Sequence, residues 1–248
     1  MLNHAHAAFL PCLARRIHCF ALGVCGIELL WKKPQRQKPG TLLMPSRLNG
    51  LINQLAWNIF PRRRGTTPAA GQTGTAAQTD VSITVHGISF HPIRGSRPAR
   101  FQLVDNITVT ISFNARQSFV MDWVFQRPQN FQNDLLSHEQ GHYNISALIA
   151  RDFFIEVMQQ KSQSFQNAHE GINAVNQIRA GSLAKIQDVN NLYDSDTSNG
   201  LNATGQAQWD GFIRSAFTQP RSTGDQSPDG IPYKTRLIDV LRAGGKQV

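Results

Sequence analysis

The chain has 248 residues, a formal net charge of +9 at pH 7 and a sequence pI of about 10.0. Residues 1–79 hold ten Lys or Arg and one acidic residue, whereas residues 80–248 hold fifteen basic and fifteen acidic residues. Because phosphate binding needs a basic face on the folded part of a protein, this balance argues against a nucleic-acid enzyme. All three cysteines precede residue 26, which excludes a disulfide framework or a cysteine metal site from residues 80–248.

Residues 1–79 form a basic leader whose role the composition leaves open. Its apolar run of 13 residues, from Cys19 to Trp31, is short for a membrane span and comparable to a signal-peptide core. A cleaved signal, a membrane anchor and a start site misassigned ahead of Met44 all fit this pattern. The positive charge fits either an unpartnered tail or an anionic membrane surface, so membrane association through the leader is one expectation.

The second half of the leader contains an apolar periodicity followed by a linker-like stretch. In residues 44–65, Leu48, Ile52 and Leu55 fall near helical spacing, which predicts a short amphipathic helix ended by Pro61. Residues 65–80 are small, polar and nearly uncharged, which is typical of a linker. This composition places the domain boundary between residues 79 and 80.

Three apolar stretches after that boundary predict strands, at residues 81–90, 106–113 and 118–125. In the second stretch, Ile107, Val109 and Ile111 alternate with threonine and asparagine. This alternation predicts a small antiparallel sheet with one solvent-exposed face.

The apolar period becomes helical from about residue 133. We expect helices over residues 133–161, 164–189 and 202–218, and a C-terminal tail over residues 220–248. Strands followed by helices predict an α+β domain over residues 80–219.

The stretch HEQGH, residues 138–142, carries the candidate chemistry. Residues i and i+4 of an α-helix differ by about 40° in direction and about 6 Å in rise, so His138 and His142 project side by side and can share one cation. Tetrahedral zinc suits this spacing. Glu139 lies beside the pair, where it is a poor ligand but can accept a proton from a metal-activated water. The alternative is that both histidines are hydrogen-bonded side chains in a helix interface.

A catalytic zinc needs three protein ligands and an open position. The metzincin extension is excluded because Ile145 and Leu148 stand where it requires Gly and His. If the chain reverses near residue 162 and the next helix packs antiparallel to the first, residue 186 lies beside His138. The segment 190–200 then begins close to the histidine pair. That segment offers Asp194 and Asp196 on a predicted loop.

Other polar side chains receive structural interpretations. By the same reasoning His169 lies far from the pair and is a surface or interface residue. His86 and His91 lie on or beside a strand and are structural. Tyr193 is either a packed tyrosine with its hydroxyl in water or a group that stabilises an oxyanion.

Two motifs in this order, HEQGHYNI at residues 138–145 and YDSDTSNGLNATGQAQW at residues 193–209, resemble a family of predicted bacterial secreted zinc-dependent proteases. That family, catalogued as a domain of unknown function, combines HEQGH on a helix with a later Y-D-x-x-T-x-H-G and a Q-x-x-W-like helix. The resemblance covers about residues 80–217. It implies a zincin-like α+β fold, one zinc ion, and hydrolysis of peptide bonds in secreted or periplasmic surroundings.

The chain departs from the family pattern at Asn199, where the family has His before Gly. If Asp194 is the third ligand, this change lies outside the ligand set and activity survives. If the family's histidine is the ligand, then Asp194 or Asp196 replaces it, or the site binds metal weakly or is inactive. We favour Asp194 because it belongs to the Tyr-Asp pair of the motif.

The resulting hypothesis is a zinc-dependent endopeptidase acting on a peptide or protein, with His138, His142 and Asp194 as ligands and Glu139 as general base. A catalytically inactive zincin-like binding module is the first alternative. A membrane-tethered interaction protein, with the leader as the functional part, is the second. The oligomeric state and the substrate sequence are not encoded in these patterns.

Overall fold

A computed structural model describes residues 46–67, 75–219 and 235–248. The apolar run from Cys19 to Trp31 and the alternative start at Met44 lie outside the described residues. Within the described part, no helix combines the length and apolarity needed to cross a membrane.

Eight short strands occur in the described residues and form three small sheets. They are β1 (Arg47–Asn49), β2 (Arg62–Arg63), β3 (Ala77–Gln78), β4 (Val81–His86), β5 (Phe90–Pro92), β6 (Phe101–Leu103), β7 (Thr108–Phe113) and β8 (Phe119–Met121). The strand orders are β1-β7-β4, β2-β8-β3 and β5-β6.

The β4–β7 pair has the predicted alternation. It is antiparallel, with Val81 opposite Phe113 and His86 opposite Thr108, and it buries Val109 and Ile111. The expectation of a single antiparallel sheet is wrong, because β1 pairs with β7 and β2 with β8 in parallel. Both parallel partners come from the segment that the sequence assigned to the leader.

The predicted amphipathic helix over residues 44–65 is wrong. Its described residues, 46–65, form no α-helix and instead contain β1, a 3₁₀ turn at Trp57–Ile59 and β2. Gly50 has φ +76°, and a Cβ there would lie 1.9 Å from the carbonyl oxygen of Ile111, so the chain turns tightly over β7 where a helix could not fit. Leu55 and Phe60 of this segment are buried against the sheets, whereas Ile52 and Ile59 are exposed.

Four helices occur in the described residues: α1 (Gln129–Gln159), α2 (Ala168–Thr197), α3 (Ala203–Thr218) and α4 (Leu237–Ala243). Asn167 and Asn202 cap α2 and α3, since their side chains accept the backbone N–H of Glu170 and Gly205. Strands and helices together confirm the general α+β class. Helix α1 is central, with the strands on one side and the other helices on the other.

The described residues 46–67 and 235–248 belong to the same compact unit as the predicted domain of residues 80–219. Leu55 and Phe60 pack in a core cluster with Val120 and Trp123. From the predicted tail, Leu237 and Leu241 are fully buried in a cluster shared by all four helices. Burial of these side chains, rather than local composition, fixes where the unit begins and ends.

Candidate metal centre

Helices α1 and α2 bring three metal-binding side chains to one point. The Nε2 atoms of His138 and His142 lie 3.2 Å apart, and Oδ1 of Asp194 lies 3.2 Å from the first and 3.0 Å from the second. These three residues form a candidate metal-binding group in the described part of the chain. The structure is therefore consistent with the sequence-based expectation that His138, His142 and Asp194 share one site.

The separations fit a small divalent cation. A tetrahedral ion with ligands at about 2.0–2.1 Å has ligand–ligand edges of about 3.3 Å. The observed triangle has edges of 3.0–3.2 Å, so a cation just outside its plane would reach all three atoms. The side chain of Asp194 is 39% exposed, which leaves the site open to solvent on that side.

Asp194 lies on a helix and not on the predicted loop. Helix α2 runs to Thr197, eight residues past the predicted end at Val189. It continues because Tyr193 and Thr197 are both fully buried and extend its apolar face along α1. The antiparallel packing estimate still placed the right stretch of α2 beside the histidines.

Hydrogen bonds to the other ring nitrogens orient the two imidazoles. Nδ1 of His142 lies 2.7 Å from Oδ1 of Asn190, whose amide nitrogen donates to the carbonyl of Ile186. Oδ1 is therefore the acceptor, and His142 carries its proton on Nδ1. This leaves Nε2 free to bind a cation, the usual arrangement for a metal-binding histidine.

His138 is held in the same tautomer by two acceptors. Its Nδ1 lies 3.4 Å from Oγ1 of Thr197 and 3.4 Å from Oε1 of Gln206. The Thr197 hydroxyl donates its own proton to the carbonyl of Tyr193 at 2.7 Å, so it can only accept from the ring. Both histidines thus direct Nε2 toward Asp194.

The charges around the triangle favour a cation. Burial raises the pKa of Asp194, but hydrogen bonds from His138 and His142 outweigh it and hold that pKa well below its usual range. Burial lowers the pKa of His142, but its hydrogen bond to the Asp194 carboxylate raises that pKa to about 9. The ionised carboxylate therefore favours a proton on His142, and a divalent metal ion would compete for the same place.

Glu139 is a buried acid beside this triangle. It is 2% exposed, and its Oε2 has no hydrogen-bond partner among the described residues. Burial raises its pKa, while the charge of His142, the nearby Thr79 hydroxyl and the charge of His138 lower it. A buried oxygen without a partner is costly to the folded state unless a ligand, water or cation satisfies it.

Tyr193 is not the tyrosine with its hydroxyl in water that the structural interpretation expected. It is fully buried, its ring stacks on His138 at 4.7 Å between centroids, and Nε2 of Gln206 donates to its hydroxyl at 2.7 Å. The hydroxyl in turn donates to the carbonyl of His138 at 3.2 Å. Its bonding is internal to the site, and burial raises its pKa.

Two glycines allow this close packing. A Cβ on Gly141 would lie 2.1 Å from the Tyr193 hydroxyl, and a Cβ on Gly200 would lie 2.9 Å from Cβ of His138. Gly141 is the fourth residue of HEQGH, so the motif encodes a helix contact as well as two ligands. The sequence reasoning missed both glycines, and it also missed Asn190, Thr197 and Gln206.

The remaining candidates lie away from the triangle. Asn199 is exposed and has φ 55° in the turn that ends α2, with its N–H bonded to the carbonyl of Asp194. Asp196 is bonded to Nε1 of Trp209 and to Nζ of Lys246. These bonds explain why neither of the two supplies a ligand. As expected, His169 is exposed on the surface.

The fold and site together define an α+β protein with a candidate His-His-Asp metal centre. No known protein family, curated protein or solved structure matches this chain.

Proposed function

We propose that this protein is a zincin-like, zinc-dependent endopeptidase that acts outside the bacterial cytoplasm. The observation that carries the proposal is the buried carboxylate of Glu139, one oxygen of which has no hydrogen-bond partner among the described residues, beside three converging metal-binding atoms. Two imidazoles and one carboxylate, with one side open, are the ligand set of a catalytic zinc. The secreted, bacterial setting follows from the resemblance of its two motifs.

Each residue has a role in this reaction. His138, His142 and Asp194 would hold the zinc ion, which, when bound, would polarise the peptide carbonyl and acidify the attacking water. Glu139 takes a proton from that water and then delivers it to the leaving amine nitrogen. The burial that raises the pKa of Glu139 makes its carboxylate a stronger base and suits this double role.

Two histidines and one carboxylate also match the triad of non-haem iron(II) oxygenases. Hydrolysis is the better proposal, because Glu139 is a buried acid–base group placed next to the ligands and peptide hydrolysis requires such a group.

The substrate backbone would bind along β3. This strand is at the edge of its sheet and contacts α1, and the next residue, Thr79, influences the pKa of Glu139. A peptide that adds to this edge as a further strand would pass the glutamate. Main-chain hydrogen bonds of this kind accept many sequences, which fits an endopeptidase.

Replacing Glu139 tests the proposed base. Because glutamine keeps the shape but cannot take a proton, Glu139→Gln should bind zinc as wild type does and lose about 10²- to 10⁴-fold in cleavage of a peptide library. Glu156→Gln is a control, since that residue lies on the same helix and pairs with Arg236 instead. A Glu139→Gln protein that cleaves at the wild-type rate would rule out the role of Glu139. Zinc-loaded wild-type protein that cleaves nothing would favour the inactive binding module.

A further inference from the structure

The charge of the described residues is divided between the strands and the helices. Residues 46–67 and 75–128 hold nine basic and three acidic residues, whereas residues 129–219 and 235–248 hold eight basic and ten acidic residues. All nine of the first group are arginines: Arg47, Arg62, Arg63, Arg64, Arg94, Arg97, Arg100, Arg116 and Arg127. The described strand segments are therefore positively charged, and four of their nine arginines precede residue 80.

These arginines are not neutralised within the described part of the chain. The ion pairs there join other residues, and none of the nine arginines has a carboxylate within 4.0 Å. Eight of the nine are exposed, Arg100 being half-buried. Unpaired guanidinium groups at the surface are available to an anionic partner.

Aromatic rings of residues 119–125 stack with three of the arginines. The guanidinium carbon of Arg62 lies 3.9 Å from the ring centroid of Phe125, and that of Arg63 lies 3.9 Å from Phe119. That of Arg127 lies 5.6 Å from Trp123. Stacking restricts the side chain and leaves the N–H groups at its rim free, so less entropy is lost when an anion binds. We call Ile59, Arg62, Arg63, Arg64, Phe125 and Arg127 the arginine–aromatic surface.

Exposed aliphatic side chains occur in the same segment. Ile59, which is 39% exposed, lies in the 3₁₀ turn with Trp57, whose ring is 6.2 Å from that of Phe125. Ile52 is 85% exposed. Arginines next to exposed aliphatic and aromatic residues are typical of proteins that lie on a lipid bilayer, whose interface accepts both kinds of group. A nucleic-acid backbone offers no partner to the isoleucines.

The chain ahead of this segment has the same character. Residues 1–45 hold six Lys or Arg and a single acid, and they join the segment directly at Ser46. The leader and β2 are thus both positively charged, and the uncharged apolar stretch of residues 48–61 joins Arg47 to Arg62. We propose that the arginine–aromatic surface binds the headgroups of an anionic phospholipid membrane, with Ile52 and Ile59 entering the interface.

Vesicle binding by the full chain tests this proposal. The probes are vesicles of phosphatidylcholine alone and of phosphatidylcholine with about 30% phosphatidylglycerol, at about 0.1 M salt. We expect binding to the anionic vesicles only. The triple variant Arg62→Gln, Arg63→Gln, Arg64→Gln should lose affinity on the order of a hundredfold, since each arginine near such a surface contributes about fivefold.

Two matched variants separate the surface from net charge and from folding. The variant Arg94→Gln, Arg97→Gln, Arg100→Gln removes the same charge from the β5–β6 connection and should stay within about threefold of wild type. The variant Arg62→Lys, Arg63→Lys, Arg64→Lys keeps the charge but not the stacked guanidinium groups, and it should lose much less affinity than the triple glutamine variant.

Four results would overturn the proposal. One is unchanged binding in the first triple glutamine variant, which would leave the leader as the binding element. The second and third are a loss of vesicle affinity in the Arg94, Arg97 and Arg100 variant, or in the lysine variant, that equals the loss in the first triple glutamine variant. The fourth is tighter binding to a 30-nucleotide oligonucleotide than to vesicles, with the same dependence on Arg62, Arg63 and Arg64. The last result would assign the surface to nucleic acid.

Discussion

The histidine pair depends on a residue that has no side chain. Gly141 lies between the two ligands in sequence and lets the Tyr193 hydroxyl approach α1, so the tyrosine ring can stack on His138. The aspartate can reach the imidazoles only because α2 lies this close. The HEQGH motif therefore contributes a helix-packing contact as well as candidate metal ligands.

Alanine substitutions at two helical glycines test this close contact. Gly141→Ala should lower the free energy of unfolding by about 1–3 kcal/mol and weaken zinc binding, because the new methyl group must push Tyr193 away. Gly181→Ala on α2 should raise it by about 0.5–1 kcal/mol, since nothing lies within 4 Å of the new Cβ and alanine favours the helix. Urea unfolding measures the change in the free energy of unfolding for both variants. Equal effects at the two positions would contradict the packing role of Gly141.

At this scale the sequence indicated the three converging side chains better than the residues that orient them. The positions of His138 and His142 follow from helical spacing. The packing of two antiparallel helices indicated residues 190–200, and the Tyr-Asp pair of the family motif selected Asp194 from that segment. Asn190, Thr197 and Gln206 were not predictable, because polar residues on a helix look alike until the neighbouring helix fixes which of them face inward. Asn190 and Gln206 come from different helices and yet orient the two rings of one site.

At the scale of elements, the buried Arg151–Asp152 pair joins α1 to the C-terminal helix. Arg151 donates to the carbonyls of Ala216 and Thr235, and the Asp152 carboxylate accepts the backbone N–H of Leu237. Burial raises the pKa of Asp152 to about 6, although Arg151 lowers it. Since this pKa exceeds the ordinary value of 3.8, the ionised carboxylate costs folded-state stability, and the contribution of this group falls as pH rises through 3.8 to about 6.

Removing the arginine should make this pH dependence steeper. Arg151→Met should lower the free energy of unfolding by about 3–5 kcal/mol at pH 8, where Asp152 is left buried and charged. The loss should be smaller at pH 5, where the carboxyl group takes up a proton. The exposed Arg214→Met control should change stability by less than about 0.5 kcal/mol at either pH. A loss in Arg151→Met that is the same at pH 5 and pH 8 would contradict this role of the pair.

The existence of the elements was more predictable than their ends and pairings. Strong apolar periods gave α1, α3 and the β4–β7 pair, because these patterns report burial directly. The segment at residues 44–65 satisfied a helical period equally well but became extended, since Gly50 and contacts distant in sequence decide its path. Parallel pairing of β1 and β2 likewise depends on partners about sixty residues away.

At the scale of the whole molecule, the structural unit includes segments whose composition suggests a leader and a tail. Strand β1 and Phe60 belong to the strand side, and α4 completes the helical core. Composition failed here because a few buried side chains are enough to hold a polar segment in place. Leu237 and Leu241 do this for a tail rich in Gly, Ser and Asp.

Truncating a leucine in this tail tests its contribution. Leu241→Ala should lower the free energy of unfolding by about 2–5 kcal/mol, because the side chain is fully buried and leaves a cavity. Leu201→Ala should have little effect, since Leu201 is 71% exposed. Denaturant titration of both proteins gives the comparison. A Leu241→Ala protein as stable as the Leu201→Ala protein would show that the tail does not stabilise the unit.

The converging geometry predicts that His138, His142 and Asp194 bind one metal ion together. Elemental analysis and calorimetric titration with zinc, on wild type and on two aspartate variants of α2, measure this directly. We expect one zinc ion per wild-type chain, a loss of affinity on the order of a hundredfold in Asp194→Ala, and no change in Asp188→Ala, which removes an exposed carboxylate from the same helix. Wild-type protein that binds no zinc, or an Asp194→Ala protein that binds it as tightly as Asp188→Ala, would contradict the account.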